Sequence, residues 1–171
     1  MTHKIFIHIK NYTSPMFSPA AVKAAIVAVL DYYRKAITIP CEVSAVITDD
    51  EDIRAYNNEF RGEDHSTDVL SFPAHDISME YGVFPSAELA EPSTGCCALG
   101  DILISAETVF RQTGGDKSKI NAEAMFMTVH SMLHLLGYDH AEPGEKAVMR
   151  ENETEIMKNL GLGDYLGNKN Y

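Results

Sequence analysis

Apolar residues recur along this chain with two different periods, and the switches between them outline its elements. Residues 4–10 (KIFIHIK) alternate, placing Ile5, Ile7 and Ile9 on one side as in a half-buried strand. The spacing then changes: Val22, Ala25, Ile26, Val29 and Tyr33 form a stripe at helical intervals. Ser18-Pro19 supplies the N-cap and first-turn proline that open such a helix. The β-branched run 41–47 (CEVSAVI) predicts a second strand, after which Thr48 and Asp49 cap a short helix ended by Gly62. A third strand is expected over 67–73 (TDVLSFP), stopped by Pro73, and a fourth over 100–105 (GDILIS), with Ser105 capping a short helix. Between those two strands, residues 76–97 carry four acids, no Lys or Arg and no periodicity, the pattern of a long surface loop. The most apolar helix runs from Ser118 to Leu136 and stops at Gly137; Pro143 starts a last one that closes near Leu160-Gly161.

Strands and helices in this order predict an α+β fold, a small mixed sheet of about four strands covered by helices, with residues 1–171 as one domain. With 45% hydrophobic and 23% charged residues among 171, the chain has the balance of a folded protein. The opening segment has no unbroken apolar run, and nothing later approaches the length of a membrane span. Three cysteines, Cys41, Cys96 and Cys97, leave an odd count, and adjacent cysteines bridge only with strain. Cys96 and Cys97 are therefore read as two free thiols in the loop, and the protein is expected in the cytoplasm. The net charge of −11 excludes a broad basic surface for nucleic acid but leaves room for a small basic cleft.

The stretch that carries chemistry is HSMLHLLGYDH, residues 130–140. His130 and His134, four apart on a helix, project from the same face. Gly137 can turn the chain back in a left-handed conformation, so that His140 returns toward the first two rings. Three imidazoles around an ion leave the fourth tetrahedral position open, as in catalytic rather than structural zinc sites. Two histidines at this spacing alone are more simply partly buried polar residues; the third, just after a glycine bend, favours a metal. His3, His8, His65 and His75 have no such company and are read as surface or hydrogen-bonded residues. The spacing H-x-x-x-H-x-x-G-x-x-H is also that of metzincin proteases, but those carry Glu as general base after the first His, where this chain has Ser131.

Taken with EFRG (59–62), TDVLSFP (67–73), LGDILIS (99–105) and ETEIM (153–157), the histidine block resembles the YbeY family of bacterial endoribonucleases, the rRNA maturation factors. The blocks follow in order from about residue 40 to residue 160. The resemblance implies a metal-dependent endoribonuclease directed at single strands. It would act in ribosomal RNA maturation, at the small-subunit RNA 3′ end, and in ribosome quality control. It implies one Zn2+, or another divalent metal, at His130, His134 and His140, and a functional Arg61. The small ribosomal subunit would be the partner, reached directly or through ribosomal proteins or a ribosome-associated GTPase. Two departures stand out: Ser131 replaces the family's usual Gly, narrowing the helix's approach to its neighbour, and the 76–97 loop is longer than typical.

From position alone Arg61 is equally a helix-end cation satisfying terminal carbonyls beside Gly62. Asp68 and Asp139 are candidate acceptors for the N–H groups of the ligands, and equally candidate turn or strand-edge caps. Two other functions remain open on the residues: a metallopeptidase using the same three ligands, and a non-catalytic ribosome-assembly factor with a structural metal, which chelation would unfold.

Overall fold

The computed structural model describes residues 1–11, 17–75 and 84–166. Four strands, β1 (Lys4–Ile9), β2 (Cys41–Thr48), β3 (Val69–Pro73) and β4 (Cys97–Ser105), form one sheet in the order β1-β2-β4-β3. β1, β2 and β4 run parallel, while β3 lies antiparallel on the edge beside β4, so the sheet is mixed as expected. Period-two alternation assigns its faces. Val43, Ala45 and Ile47 of β2 and Ile102 and Ile104 of β4 point into the main core. Leu103 of β4 and Leu70 of β3 point to the other side, where Ile53 covers them.

Ile53 belongs to α2 (Asp50–Arg61), a helix whose ends obey local rules. Asp49 caps it by accepting the Asp52 N–H at 2.9 Å, and Gly62 ends it at φ +73°. Thr48 bonds the Asp52 carboxylate instead of a helix N–H. The other face of the sheet is covered by α1 (Pro19–Tyr32) and α4 (Lys117–Leu135), which pack on each other. Ser18 stands at the N-cap of α1, but its side chain makes no capping bond; its N–H is bound by Asn121 Oδ1 of α4 at 3.3 Å. α3 (Ala106–Gln112) is capped by Ser105, as expected, and α5 (Pro143–Asn159) lies against α4. A short α6 (Gly163–Leu166), absent from the sequence pattern, docks on α5.

The fourth strand begins earlier than the apolar run indicated. Cys97 pairs with Cys41 across the parallel β2–β4 ladder, so Cys97 is a strand residue and the reading of both thiols as loop residues fails there. All three cysteines are free and buried, and burial pushes the Cys41 thiol up to about 12. The strand signal was hidden by Gly100, at φ +132°, where the register of the ladder shifts. A Cβ there would sit 2.1 Å from the carbonyl oxygen of Phe72, so only glycine lets β3 come this close. Of the expected loop, residues 76–83 lie outside the described residues; Ala87–Leu89 form a single 3₁₀ turn.

α4 is buried on several sides, against α1, α5, β3 and β4. Ser131 is fully buried within it, and no described residue offers its Oγ a hydrogen-bond partner. An unsatisfied buried hydroxyl costs roughly 1–3 kcal/mol, and Ala is the better helix former. Ser131→Ala is therefore expected to stabilise the protein by about 1 kcal/mol, raising the melting temperature by roughly 2–4 °C in calorimetry. A lower melting temperature would show that the hydroxyl has a use the packing does not reveal.

Candidate metal centre

His130 and His134 leave the same side of α4, and Gly137, at φ +85°, turns the chain so that His140 faces them. The ring centroids lie 4.6 Å (His130–His134), 5.0 Å (His134–His140) and 5.4 Å (His130–His140) apart. One nitrogen of each ring falls within 4.8 Å of the other two, and among the described residues these three form the one such group of metal-ligating side chains. The three residues brought together are those the spacing selected.

What holds the rings is more informative than their proximity. Nδ1 of His130 is 2.7 Å from Oε1 of Glu153, a buried carboxylate on α5, and Nδ1 of His134 is 2.9 Å from the carbonyl oxygen of Tyr138. The backbone carbonyl can only accept, and an ionised carboxylate likewise, so both Nδ1 atoms carry the proton. The two Nε2 atoms are then turned toward each other, 3.1 Å apart. A cation between them would meet a nitrogen from each ring. Two nitrogens on a tetrahedral zinc, with bonds of about 2.0–2.1 Å, stand about 3.3 Å apart. The donor set thus fits a divalent metal of the kind imidazole prefers.

Electrostatics point the same way. Burial, followed by the neighbouring His130 and His140, holds His134 down to about 4, so its ring is neutral near pH 7. An unfolded chain would take up this proton near 6.5 and the folded one only near 4. The folded-state value is depressed, so the stability of the metal-free protein is expected to be full above pH 6.5 and to fall progressively toward pH 4. Chemical denaturation of the metal-free protein across that range tests this; a flat profile would overturn it.

Asp68 and Asp139 turn out to be backbone caps. Asp68 Oδ1 accepts the Val69 N–H at 2.9 Å and Asp139 Oδ1 the His140 N–H at 2.7 Å. The acceptors that orient the rings are Glu153 and the Tyr138 carbonyl, which residue-by-residue reading missed, although Glu153 opens the ETEIM block. Of the other histidines, His3 Nδ1 accepts the Cys41 N–H at 3.1 Å and His75 Nε2 lies 3.5 Å from Cys97 Sγ. Arg61 is exposed at the last turn of α2 and makes no hydrogen bond or ion pair with a described residue. It does not line the cleft beside the histidines. That cleft, about 340 Å³, lies between α4, α5 and the start of β3, with His130 and His140 in its wall.

An α+β scaffold presenting three imidazoles that could hold a metal ion, beside an open cleft, defines the class. Comparison with known proteins sharpens this. The family described as "Endoribonuclease YbeY" matches residues 8–161, and the chain belongs to the YbeY family. A curated relative from Thermoanaerobacter sp. (strain X514), named Endoribonuclease YbeY, is 43% identical over 122 residues, covering 71% of this chain and 76% of its own. Another of the same name, from Clostridium botulinum (strain Loch Maree / Type A3), is 35% identical over 164 residues, with 91% and 98% covered. In fold, the chain is similar to the solution structure of TM1509 from Thermotoga maritima, with TM-score 0.51 at 19% identity and 91% of each chain covered. Among the described residues, no helix is long and apolar enough to cross a membrane.

Proposed function

We propose that this chain is a zinc-dependent, single-strand-specific endoribonuclease that matures ribosomal RNA, at the 3′ end of the small-subunit RNA, and serves ribosome quality control in the cytoplasm. One ion, Zn2+ or another divalent metal, is held by His130, His134 and His140. The observation that carries this reading is the convergence of three imidazoles, with the Nε2 atoms of His130 and His134 3.1 Å apart and His140 alongside. When bound, the ion supplies Lewis-acid chemistry, stabilising charge on phosphoryl oxygens and acidifying a water. The chain's own residues do the rest. Glu153 and the Tyr138 carbonyl fix the ring tautomers, and the exposed His140 leaves the site open to solvent.

Arg61 contributes a planar donor fork suited to a phosphate oxygen pair, and nothing in the described protein occupies that fork. Arg61→Ala is expected to keep its metal and its melting temperature but to lose about tenfold or more in RNA cleavage, the loss of one charge-assisted contact. Unchanged cleavage would remove Arg61 from the site. The net charge of −11 favours access to the small ribosomal subunit through ribosomal proteins or a ribosome-associated GTPase rather than through broad RNA contact. A peptidase reading lacks its base: the residue after His130 is Ser131, with its hydroxyl buried, and Glu153 is engaged by His130.

The test is incubation of the zinc-loaded chain with single-stranded and duplex RNA of one sequence, with and without chelator. Cleavage confined to the single strand and lost on chelation is expected. Absence of cleavage, or cleavage indifferent to chelator, would overturn the proposal.

A further inference from the structure

A carboxylate that orients a metal ligand must itself be held, because a glutamate side chain has several rotatable bonds and much rotamer freedom to lose. Glu153 is buried, and its Oε1 stands 2.7 Å from Nδ1 of His130. Its other oxygen, Oε2, is turned away from water as well and needs a partner inside the protein. Arg150 stands three residues earlier on the same face of α5, and its Nη1 lies at ion-pair distance from that oxygen, 3.9 Å. The other terminal nitrogen, Nη2, donates to the carbonyl oxygen of Leu166 on α6 at 3.4 Å. A planar guanidinium with its two ends on two acceptors is fixed more firmly than a point charge on a flexible stem. Arg150 has further partners, which add to that hold. α6 is anchored in its turn. Leu166 is buried in the main core, and the Tyr165 hydroxyl donates to Glu123, a buried carboxylate of α4.

We infer that Arg150 is a positioning residue of the metal centre: anchored on α6, it holds the Glu153 carboxylate against the ring of His130. A run of contacts thus joins α6 to the histidine cluster through α5. The inference rests on the metal reading only for its consequence, zinc affinity; the hold on His130 exists without the ion. Charge alone would act the other way. A cation near a bound divalent ion repels it, so losing Arg150 as a charge would tighten zinc. Losing it as a positioning group weakens zinc, because the acceptor behind His130 is no longer fixed.

The test is Arg150→Met in the full chain, made both in the parent and in a Glu153→Gln background. Met is a good helix former with an unbranched stem, suited to a side chain that is a third exposed. Two quantities are read: zinc affinity by competition with a zinc-binding dye, and, in the metal-free protein, the exchange of the His130 Nδ1 proton with solvent by 15N NMR. Zinc is expected to bind about tenfold more weakly, the low end of what losing the acceptor itself costs. The Nδ1 proton is expected to exchange about tenfold faster, since a loosened hydrogen bond opens more often. Both effects are expected to vanish in the Glu153→Gln background. There the amide keeps its oxygen on His130 and turns a donor, which Arg150 cannot hold, toward the guanidinium. Tighter zinc, an unmoved exchange rate, or equal weakening in both backgrounds would each overturn the inference. A lower melting temperature with zinc affinity and exchange unchanged would overturn it too, leaving Arg150 as packing for α6. Failure of the metal reading looks different: a parent that binds no zinc, yet whose Nδ1 proton is released by Arg150→Met, sinks that reading alone.

Discussion

His134→Ala is expected to fold and yet to lose its metal at micromolar concentration, and RNA cleavage with it. Structural zinc binding amounts to about 10–16 kcal/mol shared among four ligands, so one imidazole is worth about 3 kcal/mol or more, a loss of roughly 10²–10³-fold in affinity. His134 is the ligand for which this is cleanest. Its ring is neutral at pH 7, and its Nδ1 is tied to the Tyr138 carbonyl. Its position in α4 accepts Ala, the best helix former, without strain. Metal content after dialysis, measured by plasma mass spectrometry, should fall from one equivalent to near none, while circular dichroism stays that of the parent. A variant that keeps one tightly held equivalent would mean that the three rings are not the site.

The second large effect is expected at Glu153, and it shows in one of two measurements. Glu153 is 4% exposed and holds His130 Nδ1 at 2.7 Å, so its carboxylate sets the tautomer and raises the basicity of the nitrogen facing the ion. Glu153→Gln keeps the shape and one hydrogen bond but removes the charge. Metal affinity is expected to fall about 10–100-fold, the usual cost of losing the partner behind a ligand. The metal-free protein is expected to change little, because Gln keeps the shape and a hydrogen bond to His130 and gives up the 3.9 Å pair with Arg150 together with the cost of burying a charge. A merely structural role would lower the melting temperature of the metal-free protein and leave zinc affinity alone. Competition with a zinc-binding dye, paired with thermal melts of the metal-free variant, distinguishes the two.

The largest element errors of the sequence reading share one cause. The loop pattern extends through Cys97 because Gly100 interrupts the β4 pattern. What makes Cys97 part of the strand is pairing with Cys41, 56 residues away, and no local rule sees that ladder. Asp139, next to His140 in sequence, and Asp68 are polar candidates for ring acceptors, whereas the structure places Glu153, 23 residues beyond His130 on another helix, behind that ring. Arg150 looks like an ordinary solvent-facing charge until α6 is set against it.

What the chain alone determined about this protein is whatever repeats within a turn or two of backbone. Helical spacing put His130 and His134 on one face, Gly137 could adopt a positive φ, and Asp49, Gly62 and Ser105 acted at helix ends. Those are contacts between near neighbours, and their geometry is a property of the residues themselves. Only the tertiary structure decided which acceptor stands behind His130 and His134, and which side chains border the cleft. Each of these depends on helices and strands far apart in sequence being pressed together by a common core, and burial then turns ordinary polar groups into fixed partners.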